Sequence, residues 1–175
     1  IDLELEAEEK FEGYDFKSAL ELFLQIEKEK NEVSSEIHFK IGVCYLETYE
    51  YQSSLHYLEK AQTNKSEMPF SFTYYLAKAY QLNGLVTMAV PVYKEYLFYI
   101  STHEDLIQYK EEIEREIKKC ETAEHFYKTP KDVHVKLMST AINSPYDDYD
   151  PLITSDQAVM YFTSDRPHKK SKARH

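Results

Sequence analysis

The sequence predicts a mainly α-helical chain: a solenoid of three helix pairs closed by a capping helix, followed by a short β segment. Three observations carry that expectation. Only three Gly and six Pro in 175 residues leave little room for a turn-rich β protein. Small and apolar residues recur at a fixed interval of 35 residues between Ala7 and Tyr96. The composition then changes. Residues 1–127 carry 13 basic and 25 acidic residues, net −12, whereas residues 128–175 carry 8 and 6, net +2. The organisation read from this is 1–127 solenoid with its cap, 128–141 linker and first strand, and 142–175 the start of a β domain.

Five columns define the repeat: Ala7, Gly42 and Ala77; Lys10, Tyr45 and Tyr80; Ala19, Ser54 and Ala89; Phe23, Leu58 and Tyr93; Ile26, Ala61 and Tyr96. Each unit reads as two amphipathic helices. Small residues fall where helix axes approach closely, and large aromatics fill the space one turn further on. In the second unit Ile41, Gly42 and Tyr45 mark the first helix and Ser54, Leu58 and Ala61 the second, about a turn at Tyr49-Glu50-Tyr51. In the third unit Gly84 supplies a residue that tolerates positive φ at the helix end. Pro91 falls inside the next helix, which is expected to start late or bend there.

This pattern resembles the tetratricopeptide repeat, through Gly42–Tyr45, Ala77–Tyr80, Ala19–Phe23 and Ala89–Tyr93. Lys10 and Ser54 depart from it, and the interval is 35 rather than the usual 34. A further helix is expected over 104–127, with Ile107, Ile113, Ile117 and Cys120 inward and Glu111, Glu112, Glu114 and Glu116 outward. A stacked array needs such a polar-faced terminal element.

Beyond Pro130 the period becomes alternating. Val133, Val135 and Leu137 predict one strand. Residues 152–154 and 158–163 predict two more about the turn Ser155-Asp156-Gln157. Residues 142–166 resemble the opening of a TolB-like β-propeller, through Tyr149, Pro151, Ile153, Ser155, Asp156, Tyr161, Phe162, Thr163 and Ser164. Gln157 stands where that turn usually has Gly. Repeats, a long helix and this opening, in this order, resemble a Bacteroidetes family of periplasmic outer-membrane lipoproteins. Its members continue to an OmpA-like peptidoglycan-binding domain, and some serve type IX secretion. The resemblance implies a periplasmic scaffold linking an envelope complex to peptidoglycan, through domains outside these residues. A general cytoplasmic tetratricopeptide adaptor is the alternative. The chain opens on Ile1 within a helical pattern and is read as a piece of a longer product.

The net charge of −10 argues against a nucleic-acid partner, since phosphate recognition needs a cationic face. No apolar run is long enough to cross a membrane. No catalytic constellation or phosphate loop is present, and neither an enzyme nor a cofactor is expected. Asp147, Asp148 and Asp150 lack the spacing of a calcium loop and read as loop carboxylates. Cys44 and Cys120 read as small buried hydrophobes, with a disulfide between them left open. The basic residues Arg166, Lys169, Lys170, Lys172 and Arg174 read as a flexible loop, with contact to an anionic surface as the sharper reading. The expected partner surface is the concave face, where first-helix positions Glu8, Phe11, Glu12, Phe39, Val43, Leu46, Glu47, Tyr74 and Lys78 form an apolar strip with an acidic end. A protein or peptide is the expected partner, and an outer-membrane protein is one candidate.

Overall fold

Seven α-helices and one two-stranded antiparallel sheet form among the described residues. The structure, a computed structural model, describes residues 2–30, 32–140 and 142–167. The chain divides into two units, Ile1–Pro130 and Lys131–His175. The first holds helices α1 (Leu3–Glu12), α2 (Phe16–Glu29), α3 (Ser35–Glu47), α4 (Tyr51–Ala61), α5 (Ser71–Leu82), α6 (Val86–Ser101) and α7 (Lys110–Lys128). Each packs chiefly on its neighbours in sequence.

Caps and turns explain where these helices begin and end. The side chains of Asp2, Asp15 and Ser34 accept from the backbone N–H groups of Glu4, Ser18 and Ile37, at 3.2, 3.3 and 3.2 Å. The three hairpin turns are copies of one design. Tyr14, Tyr49 and Gly84 stand 35 residues apart and adopt φ of 60°, 66° and 76°. After each, the next residue's N–H reaches back into the preceding helix: Asp15 to Lys10, Glu50 to Tyr45 and Leu85 to Tyr80, each at 2.9 Å. That satisfies carbonyls the helix end would otherwise leave bare.

The crossings are as tight as the small residues predict. Ala7, Ala77, Ala19, Ser54 and Ala89 are all fully buried. A Cβ on Gly42 would lie 2.7 Å from Leu58 Cγ and 3.2 Å from the Leu58 backbone nitrogen. The Ser54 hydroxyl donates to the Gly42 carbonyl at 2.8 Å, so the one polar group in this contact is satisfied.

One helical expectation is narrowed and one needs correction. α6 runs unbroken from Val86 through Pro91 to Ser101, which excludes the late start. Pro91 is exposed, and the acceptor it leaves unserved is the carbonyl of Thr87, itself an exposed residue in the first turn. α7 starts at Lys110, after a 3₁₀ turn at Ile107–Tyr109, rather than near residue 104. Short backbone bonds from Leu106 to His103 and from Tyr109 to Leu106 hold those residues as successive turns. Ile107 is therefore exposed, while Ile113, Ile117 and Cys120 are buried.

Both cysteines are free and buried, and burial pushes the Cys44 thiol up to about 12. No helix among the described residues is long and apolar enough to cross a membrane.

The second unit contains β1 (Asp148–Ile153) and β2 (Met160–Ser164), paired with a bulge between Tyr149 and Leu152. Gln157 adopts φ 58°, the left-handed conformation for which glycine is the usual choice. The strand expected at Val133, Val135 and Leu137 does not form. These residues are 70%, 90% and 90% exposed, because no sheet edge among the described residues accepts their backbone groups. Asp148 ties the unit together, accepting from Ser144 N–H and Oγ at 2.9 Å each and from the Arg166 guanidinium at 3.0 Å. Hydrogen bonds from the Ser164 hydroxyl and from Arg166 hold its carboxyl well below the usual range. Lys169, Lys170, Lys172 and Arg174 lie outside the described residues.

Gly84 has open space around a would-be Cβ, the nearest atom being Tyr127 Oη at 3.7 Å, so only backbone strain opposes substitution there. Gly84→Ala is expected to cost about 1 kcal/mol, and Tyr49→Gly at the equivalent turn to gain up to about 1 kcal/mol. Gly42→Val, which clashes with Leu58 instead, is expected to cost at least about 2 kcal/mol. Urea midpoints of the three variants check the ordering, and a neutral Gly42→Val would contradict the crossing described.

Candidate functional site

Half-buried aromatics gather where α5, α6 and α7 meet. Two buried clusters fill the first unit, one around Phe23 and Ile41 and one running from Phe39 through Tyr93 to Ile117. Partly buried residues pack at the margin of the second cluster. Tyr74, Tyr75, Tyr96 and Tyr109, with Ser71 and Glu112, line a hollow of about 270 Å³ open to solvent. Tyr96 belongs to a repeat column whose other members, Ile26 and Ala61, are buried, yet it is only half-buried itself.

The rings form a connected array. Tyr74 lies 5.4 Å from Tyr75 and 5.6 Å from Tyr96 between centroids. Phe70 stacks on Tyr99 at 3.5 Å and lies 5.9 Å from Tyr96, backing the groove from behind. Phe39 approaches Tyr75 at 5.9 Å and Phe72 at 5.7 Å, which anchors the array in the core. Burial raises the hydroxyl pKa values of Tyr75 and Tyr96, so both stay neutral donors over the physiological range.

Charge is distributed unevenly around the groove. The Lys78 ammonium lies 5.5 Å over the Tyr74 ring. Burial works against that ammonium, but Tyr74, Glu47 and Glu116 outweigh it and its pKa is raised. Burial likewise works against the Glu116 carboxylate, but Lys119 and Gln81 hold its pKa below the usual range. The Gln81 amide donates to Glu116 at 2.9 Å and accepts from the buried Tyr93 hydroxyl at 2.6 Å. Glu112 and Glu47 are exposed and have no ion pair among the described residues.

The nine residues expected to line a partner surface separate into three sets. Phe39, Val43 and Leu46 are 4%, 0% and 3% exposed and belong to the second core cluster, so they form no surface strip. The physical reason is that α3 is covered on two sides: Ile41 and Cys44 face the first cluster while these three face the second. Glu8 is tied to Lys40 at 2.6 Å, and Phe11 packs against Phe16 and Phe23 at 5.8 and 6.2 Å. Glu12 is exposed. Tyr74 is the one member that lines the hollow; Lys78 donates to its hydroxyl at 3.4 Å, and Glu47 acts on Lys78. Ser71, Tyr75, Tyr96, Tyr109, Glu112 and Ile113 line the hollow without being expected there. Glu112 was assigned to the outer side of the capping helix, and the tyrosine richness of 74–109 was the signal that could have found the tyrosines.

A second polar cluster joins α2, α3 and α4 around Glu27. Tyr57 donates to it at 2.7 Å, and Lys60 and His38 stand 3.4 Å away. Burial and the Lys60 charge lower the His38 pKa despite Glu27. The cluster is internally satisfied and reads as a structural tie. No group of three metal-ligating side chains occurs among the described residues.

A scan against protein-family models finds no match to this chain, and a search of curated proteins finds none either.

The His38 shift has a defined sign. A histidine whose pKa is lower when folded binds protons more readily unfolded, so its stabilising contribution is complete above the unfolded value of about 6.5 and is lost as pH falls below it. Between pH 7.5 and 5.5 the parent is expected to lose more stability than His38→Gln. Urea midpoints at both pH values measure this, and equal losses would remove His38 from the account.

Proposed function

We propose that the chain is a non-enzymatic, tetratricopeptide-type solenoid that binds a segment of a partner protein in the tyrosine-lined groove between α5, α6 and α7. One observation carries this reading: four tyrosines line a solvent-open hollow, while Phe39 and Ala61, one repeat interval before Tyr74 and Tyr96, are buried. Tyrosines suit such a role. They offer large contact area with few rotatable bonds, an apolar face and a polar tip. The raised hydroxyl pKa values make them neutral hydrogen-bonding groups rather than bases. The three identical turns at the same 35-residue interval support the solenoid itself. The likeness of residues 142–166 to a propeller opening supports a place in the periplasm at the outer membrane, in a complex held to peptidoglycan by other domains.

Crosslinking and pull-down from envelope extract, with the parent and a Tyr74→Ala/Tyr96→Ala double variant, test the reading. The parent is expected to recover a partner that the variant recovers about tenfold less well, with the loss mainly in faster dissociation. Raising salt slows association with the parent, since exposed carboxylates are screened beyond about 8 Å at physiological ionic strength. Thermal melts establish that the variant is folded. Equal recovery by a folded variant would rule out the groove.

A further inference from the structure

We infer that the groove anchors an arginine side chain of the partner segment, its guanidinium laid on Tyr96 and Tyr109 and paired with Glu112. This rests on the groove being the partner site and specifies what it takes. Three features of the surface point the same way.

The first is that the array already holds one cation of its own. Lys78 donates to the Tyr74 hydroxyl at 3.4 Å, with its ammonium 5.5 Å from the ring centroid, so a positive charge already sits at the edge of this aromatic array. The second is the balance of charge. Lys78 is countered by Glu116 and Glu47. On α7 the neighbouring bases Lys110 and Lys119 are engaged with Glu114 and Glu116, at 3.9 and 2.6 Å. Glu112 has no ion pair among the described residues and lines the hollow. A carboxylate without an ion pair that shares a hollow's lining with four tyrosines matches an incoming cation. The third is size. About 270 Å³ holds one long side chain and not a folded element.

Arginine fits better than lysine. Its guanidinium is planar, stacks on aromatic faces, sheds water more readily than an ammonium and can meet a carboxylate with two N–H groups. The net −12 of residues 1–127 would speed the approach of such a segment.

The test uses the full chain. A random-peptide library is selected on it, and the peptides recovered are measured by fluorescence anisotropy. Enriched peptides are expected to carry arginine. Replacing that arginine with citrulline, which keeps the shape and removes the charge, should weaken binding about tenfold. Glu112→Gln should weaken the parent peptide severalfold and leave the citrulline peptide unchanged. Tyr109 is nearly half exposed, so Tyr109→Ala tests the ring without touching the core. Citrulline peptides that bind as tightly, with binding still lost in Tyr96→Leu, would overturn the arginine anchor and leave the groove reading standing. Peptides indifferent to Tyr96→Leu and Tyr109→Ala, or a selection that recovers none, would overturn both.

Discussion

The close approach of α3 and α4 at Gly42 governs the first unit. Leu58 occupies the space a side chain at position 42 would need, and Ser54 closes the contact by donating to the Gly42 carbonyl. With α4 this near, α3 lies deep enough for Ile41 and Cys44 to enter one cluster and Phe39, Val43 and Leu46 the other. α3 is therefore apolar nearly all round, as a helix covered on several sides must be. A lone hairpin could not bury it. The stability of the first pair of helices is tied through α3 to that of the third pair.

The hairpins and their order were legible in the sequence because the signal repeats. The columns at Ala7, Gly42, Ala77 and at Ala19, Ser54, Ala89 mark positions where only small side chains fit, and all of them are buried. The turn position was half legible. Gly84 announces a left-handed residue, but Tyr14 and Tyr49 adopt the same conformation without glycine's freedom. Backbone bonds back to Lys10 and Tyr45 offset the strain there. The start of α7 and the missing strand at Val133–Leu137 were not legible. Each depends on what packs beside the segment, and periodicity reports only what a segment could present to a neighbour.

The expected site and the groove share only α5, because seven of the nine expected residues lie on α1 and α3. Treating each hairpin as having one inner and one outer face sent Phe39, Val43 and Leu46 to the surface. In a stack every middle helix serves the pair before it and the pair after it, so its second apolar face is core. The last pair has fewer neighbours to satisfy, and there the second face stays partly open. That is why Tyr74 lines an open groove, with Lys78 beside it, while their counterparts one unit earlier, Phe39 and Val43, are sealed. The equivalence follows the 35-residue interval, and the difference in chemistry follows it too: Phe and Val where the site is dry, Tyr and Lys where it is wet.

The same economy accounts for the electrostatics. An exposed phenylalanine array would be an aggregation surface, whereas tyrosine hydroxyls keep the rim hydrated and leave the ring faces available. Since burial raises the hydroxyls of Tyr75 and Tyr96 further from neutrality, the rings keep one charge state throughout the range in which carboxylates and histidines titrate. Contact with the rings is then insensitive to pH and salt, and the contribution of Glu112 and Glu47 carries the salt dependence. Apolar area sets how long a partner stays, and carboxylates set how fast and which partner arrives. On the proposed reading, dividing those roles between groups of different screening would let an acidic chain select a basic segment without depending on charge to hold it.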